Sequence, residues 1–376
     1  MNLTPEVIES DRYQVADVNI VHWLRMLAGN PDILINKLFH LGDLELATCS
    51  GNPELARLVA VEMLSKVDQV MQTSSDDGQV RVFPDGEVRP IFHRDSKLRR
   101  KHVMVIQSFA PAWSEGDRGI NDQLMELLLT IQAAKLASAS EITAVLPYLP
   151  YARSDRKDLP KVGIGARLIL DLLKTAGADR VVAIDPHNDQ IAGFFNGPFD
   201  TIYSSELLIP KVRAKFNLAE LVLMTADGGG AKMVRAWSKR LLGHPNIGIT
   251  SKSRDPRSSN SRSHFYQGPD LAGKTALIID DLVAGSSTVV DAAEIADSLG
   301  ARDIHVIAPH ALFLGDALTR IRNSPITKIW TTNTIRQRPE VYDANVTDGK
   351  IVVHNIAPLL ADKLTRVHTG QSMEID

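Results

Sequence analysis

Two aspartates side by side, Asp280-Asp281, followed by LVAGSST, carry the densest chemistry in this chain. Adjacent carboxylates can hydrogen-bond the vicinal hydroxyls of a sugar or hold a divalent ion through water. Small residues at a helix start leave backbone N–H groups free for a phosphate, and Gly285, Ser286, Ser287 and Thr288 suit that, with hydroxyls as further donors. The plainer alternative is a serine-rich helix cap. A second place is Pro186-His187-Asn188-Asp189, where His187 reads either as a ligand or as a structural hydrogen-bonder. A third is Asp227 before three glycines, either a tight turn or, with His187, a metal–phosphate site. A fourth is 151–158, three cations and two acids, either a solvated loop or a nucleotide clamp with Arg153 on phosphate. Finally, the polar stretch 251–270 carries Lys252, Arg254, Arg257 and Arg262. Long loops inside compact domains without regular structure are usually lids or linkers. A nucleic-acid patch ranks lower, because no aromatic interleaves the cations before Phe265-Tyr266.

These places share a context. Each follows a short apolar run: KTALII, VVAI, AELVLMTA, AVLPY and IGITS. Between the runs lie segments with helical spacing, such as NDQLMELLLTIQAAKLASA, IGARLILDLLKTAG, AKMVRAWSKRLL and STVVDAAEIADSLG. Asn52-Pro53 is a cap and first-turn pair opening the helix NPELARLVAVEMLSKV. Continuous apolar strands alternating with helices imply parallel sheets covered on both faces. Two such series predict two doubly wound α/β domains, whose ligands bind beyond the carboxyl ends of the strands. The expected boundaries are an appendage at 1–45, domains at 46–199 and 200–350, and a terminal helix within 351–376 docking on the first domain.

Composition sets the outer limits. The 376 residues predict two to three domains, and 44% hydrophobic against 23% charged residues is ordinary for a globular chain with a sizeable core. The net charge is 42 − 45 = −3, which excludes a polybasic nucleic-acid coat. The single cysteine, Cys49, excludes an internal disulfide and a cysteine-built zinc cluster. No apolar run reaches the ~18 residues of a membrane span, and the first residues have no secretory apolar core. A cytoplasmic protein without membrane or nucleic-acid partners is the expectation.

Taken together, the motifs resemble the ribose-phosphate diphosphokinases, or phosphoribosyl-pyrophosphate synthetases. The resemblance runs from about Leu46 to the C-terminus, through FPDGEV (83–88), PYLPYARSDRK (147–157), KTAGADRVVAIDPHNDQIAGFF (174–195), ADGGGAKMVRAWSKRL (226–241), GKTALIIDDLVAGSST (273–288) and IAPLLADKLTRVH (356–368). It implies phosphoribosyltransferase-like domains and ATP bound by Phe83, Asp85 and Glu87, lent by a neighbouring subunit, with Arg153, Ser154, Asp155 and His187. Ser154 stands where a glutamine is usual. It further implies metal association at His187 and Asp227, with Mg²⁺ as the ion, and a catalytic Lys252–Arg254 pair on a mobile lid. The ribose-phosphate site becomes Asp280, Asp281 and the loop Ala284, Gly285, Ser286, Ser287 and Thr288. The carboxylate usual at the start of that loop is replaced by Ala284.

The activity implied is transfer of the β,γ-diphosphoryl group of ATP to the anomeric hydroxyl of ribose 5-phosphate, with AMP leaving. A homo-oligomer follows from the lent segment, and a hexamer is common in the family. The altered loop leaves open a larger acceptor such as ADP-ribose. A non-catalytic regulatory relative is a second alternative, and a phosphoribosyltransferase or DNA-binding regulator a third. The stretch 251–270 is expected to be mobile without substrates. Ordering ~20 residues costs roughly 20–40 kcal/mol, far beyond the ~4 kcal/mol of one surface charge pair.

Overall fold

The computed structural model describes residues 44–63, 67–69, 81–93, 96–113, 117–254 and 262–373. The appendage read at the start of the chain lies outside them, apart from its last two residues. The first half runs β1 (Leu44–Thr48), α1 (Pro53–Glu62), β2 (Val67–Gln69), β3 (Arg81–Val82), β4 (Val88–Arg89), β5 (His102–Ile106), α2 (Ile120–Leu136), β6 (Glu141–Leu146), α3 (Gly165–Ala176), β7 (Arg180–Ile184) and β8 (Phe199–Ile202). Six of these strands form one sheet in the order β2-β1-β5-β6-β7-β8, and every pair is parallel.

The second half runs α4 (Ser205–Lys215), β9 (Leu221–Thr225), α5 (Ala231–Leu242), β10 (Ile249–Arg254), β11 (Arg262–Gln267), β12 (Thr275–Ile279), β13 (Leu282–Val283), α6 (Ser287–Ser298), β14 (Asp303–Ile307), β15 (His310–Ala311), α7 (Ala317–Arg322), β16 (Lys328–Thr332), α8 (Ala344–Thr347), β17 (Ile351–His354) and α9 (Ala357–Thr369). Its parallel sheet is ordered β17-β16-β14-β12-β9. The first sheet thus extends to residue 202, and the second to residue 354.

Both sheets bury both faces, which is why their strands read as unbroken apolar runs. In the first, Val103, Val105, Ala144 and Leu146 meet α2 and α3. Alternate residues Leu46, Met104, Val145 and Val182 meet α1 and α9 on the other side. In the second, Met224, Ile278 and Val306 meet α6 and α7, while Leu223, Leu277 and Ile307 meet α4 and α5. Each fully buried Leu, Ile or Val contributes about 1.5–3 kcal/mol. These layers, rather than helix propensity, hold the strand ends in place.

Local signals set several boundaries. Asn52 caps α1, its side chain accepting the Leu55 N–H at 3.2 Å, with Pro53 in the first turn. The helix stops at Glu62, short of the expected run to 67. Gly177 ends α3 in the left-handed region (φ 119°), where a side chain would be strained. The stretch 251–270, read as a lid or linker without regular structure, departs from that reading. Residues 249–254 and 262–267 pair as an antiparallel ribbon. The ladder satisfies backbone groups that an open loop would leave to water, and the charged residues hid the strand from a reading based on apolar runs.

Candidate active site

The two sheets present their carboxyl ends to one cleft. The first domain supplies Tyr148 and Arg153 after β6, and Asp185, Pro186 and His187 after β7. The second supplies Asp281 and Leu282 after β12, and His310 after β14. Two residues from different domains meet directly: His187 Nδ1 lies 2.6 Å from Asp281 Oδ2. His187 is exposed on its open side, while Asp281 is more enclosed.

The aspartate pair has a divided proton inventory. Burial pushes Asp280 up to about 8, and the charge of Asp281 adds to the rise. Asp280 Oδ1 accepts the backbone N–H of Asp281 at 3.0 Å. Burial also pushes Asp281 up, but the hydrogen bond and charge of His187 outweigh it and hold it below the ordinary carboxylate value. The same hydrogen bond raises His187, against an opposing effect of burial. The two carboxyls are thus pushed apart, Asp280 holding its proton more tightly than Asp281, the arrangement in which one can donate to a hydroxyl while the other accepts.

The 284–288 loop enters α6 with Ser286 in the left-handed region (φ 62°) and no side chain capping the helix. Its first-turn N–H groups are left for water or an anion. The loop is braced from behind. The Ser286 hydroxyl donates to the Ala317 carbonyl at 3.3 Å, and Arg320 donates to the Gly285 carbonyl at 3.4 Å. Asp227 accepts the Gly229 N–H at 2.8 Å, making the tight turn, and its charge also helps to raise Asp280.

The other expected site residues stand on neighbouring segments. Ser154 accepts the Gly165 N–H on its hydroxyl at 3.2 Å and the Ala166 N–H on its carbonyl at 3.1 Å, so it anchors the start of α3. Asp155 is half-buried and its charge helps to raise His187. Phe83, Asp85 and Glu87 sit on the turn between β3 and β4, where Phe83 N–H donates to the Glu87 carbonyl at 2.9 Å. They are not among the residues lining the cleft of their own chain. Lys252 and Arg254 stand on β10 opposite residues 264 and 262 of β11.

Sequence reading missed Tyr148, Asp185 and His310, although each also follows a strand end. Asp185 adopts φ 39° and its carboxyl accepts the Ser204 N–H at 3.0 Å. Burial pushes that carboxyl up to about 6.

Residues 44–177 match the N-terminal domain of ribose phosphate pyrophosphokinase, and residues 260–375 the phosphoribosyl synthetase-associated domain. The ribose-phosphate pyrophosphokinase of Aquifex aeolicus (strain VF5) is 36% identical over 297 residues, 79% of this chain and 89% of that protein. This chain belongs to the ribose-phosphate pyrophosphokinase family. Ribose-phosphate pyrophosphokinase 4 of Saccharomyces cerevisiae (strain ATCC 204508 / S288c) is 34% identical over 89% of this chain and 94% of that protein. The crystal structure of phosphoribosylpyrophosphate synthetase from Mycobacterium smegmatis superposes with a TM-score of 0.75 at 33% identity, covering 87% of this chain and 99% of that one. The two doubly wound domains are thus those of the family, which forms phosphoribosyl pyrophosphate in an ATP-dependent reaction. No helix among the described residues is long and apolar enough to cross a membrane.

Proposed function

We propose that this cleft transfers the β,γ-diphosphoryl group of ATP to the anomeric hydroxyl of ribose 5-phosphate. The observation that carries the reading is the 2.6 Å contact between His187 of the first domain and Asp281 of the second. It brings two sets of strand ends to one reaction centre. Asp280 and Asp281 engage the ribose hydroxyls, one as donor and one as acceptor. The 284–288 loop and the start of α6 hold the 5-phosphate. Arg153 and His187 face the ATP phosphates. Lys252 and Arg254, carried by the β10–β11 ribbon, stabilise charge on the transferred group.

The ribose hydroxyl attacks the β-phosphorus in line, the bond from that phosphorus to the AMP oxygen breaks, and AMP leaves. Such transfers rest on positioning and on neutralising phosphate charge. Among the described residues no three His, Cys, Asp or Glu side chains gather closely enough to cage an ion. Mg²⁺ takes few protein ligands and keeps water and substrate phosphates around it. His187 and Asp227 are its protein contacts in this reading, and when bound it neutralises phosphate charge. Phe83, Asp85 and Glu87 serve the adenosine of a neighbouring subunit's site in a homo-oligomer.

The test is product analysis with ATP, Mg²⁺ and ribose 5-phosphate, in parallel with ADP-ribose as acceptor. Equal parts AMP and phosphoribosyl pyrophosphate are expected. AMP formed only with ADP-ribose would move the reading to the larger acceptor, and no AMP under any metal condition would end it.

A further inference from the structure

The buried His310 has no part in the chemistry above, yet it touches both halves of the cleft. Its Nε2 lies 3.0 Å from the carbonyl oxygen of Ile184 and 3.3 Å from that of Asp185. Carbonyls only accept, so Nε2 carries the proton and donates to the end of β7. Nδ1 lies 2.9 Å from Thr334 Oγ1, whose single proton has two acceptors within reach, Nδ1 and the Pro309 carbonyl at 3.1 Å. The Tyr148 ring packs against the imidazole with centroids 5.1 Å apart. At the same time the His310 backbone N–H donates to the Asp281 carbonyl at 3.2 Å, within the short β13–β15 pairing. One residue of the second domain thus grips the corner that leads into His187 with its side chain, and Asp281 with its backbone.

We propose that His310 is a positioning residue that sets the separation of His187 and Asp281 across the domain boundary. The inference rests on the function proposed above. A residue merely filling the core would change stability alone. A residue setting the geometry of two reacting-site groups changes turnover, because displacements of about 1 Å at such sites cost on the order of a hundredfold in rate.

The experiment compares His310→Phe, His310→Gln and Thr334→Val with the parent chain, reading kcat, both KM values and thermal midpoint. Phenylalanine keeps the ring and loses the donor, whereas glutamine restores an N–H donor at similar reach. Expected is a kcat loss of about tenfold or more for His310→Phe with KM values within about threefold. His310→Gln should recover to within about threefold of the parent, and Thr334→Val, which removes the partner of Nδ1 and leaves the Nε2 contacts, should fall between. A folded His310→Phe with parental kcat overturns the inference, as does a folded His310→Gln as impaired as His310→Phe. Should His310→Phe fail to fold, a parental kcat in Thr334→Val overturns it instead. A parent chain that releases no AMP overturns the proposed function and is distinguishable from these results.

Discussion

Asp185 offers a perturbation whose size and sign follow from its surroundings. Burial raises its carboxyl from an ordinary 3.8 to about 6. Below pH 3.8 the carboxyl is protonated whether the chain is folded or unfolded, and it imposes no penalty. Between 3.8 and 6 the unfolded chain ionises first, so the native state binds more protons and stability falls as pH rises. Above 6 the penalty is constant, about 2 units at ~1.4 kcal/mol each, or roughly 3 kcal/mol. The residue keeps some exposure, which makes that figure an upper bound. Asparagine keeps an oxygen to accept the Ser204 N–H, tolerates the φ of 39°, and cannot ionise. Asp185→Asn should therefore stabilise the protein by about 2–3 kcal/mol at pH 8 and by about 1 kcal/mol at pH 4.5. The assay is guanidinium unfolding of both chains at the two pH values, read by far-UV circular dichroism. A stability difference that is independent of pH would refute the linkage.

Other expectations follow from single contacts. Lys252→Ala should lower kcat by about a hundredfold or more with little change in ATP affinity, measured by steady-state kinetics and equilibrium binding; unchanged turnover removes Lys252 from the mechanism. Glu126, fully buried, accepts from Ser50 N–H at 2.7 Å and from Arg118 at 3.3 Å, so Glu126→Leu should cost about 3–5 kcal/mol in urea unfolding and Glu126→Gln much less. Equal losses for the two would overturn this and show that the charge, which both variants remove, matters more there than the accepting oxygen that glutamine keeps. Phe83→Ala and Lys252→Ala chains, each with little activity alone, should regain turnover when mixed and reassembled if the 83–87 turn serves a neighbour's site; mixtures no better than the separate chains would argue against a shared site.

The strand–helix alternation was legible because two-sided burial writes itself as apolar runs with helical segments between. That is how β5, β6, β7, β9 and β12 stood out. The strand Phe199–Ile202 was not, since three of its four residues are only half-buried at a sheet edge. The helix Ser205–Lys215 was obscured by Pro210 in its interior. At the site, the strand-end rule pointed to His187, Asp227 and Asp280-Asp281, because their places depend on their own strands. Ser154 turned toward α3 for a reason no local pattern carries, namely the packing of residue 165 beside it. The role of His310 depends on a carbonyl of residue 184, and the Asn52 side chain donates to the carbonyl of residue 333 at 2.9 Å. Contacts between residues so far apart along the chain exist only after two sheets have docked.

The last helix has a bearing on biosynthesis. Ile356, Ala357, Leu360, Ala361 and Leu364 close the apolar flank of β1 and α1, although more than 290 residues separate them from that flank. A nascent chain that has left the ribosome only as far as β16 has made every described strand of the first sheet but still shows an oily strip to solvent or to a chaperone. Final burial of β1 must wait until residues 356–364 have been translated, so completion of the first sheet's strands is not the moment at which that framework is sealed.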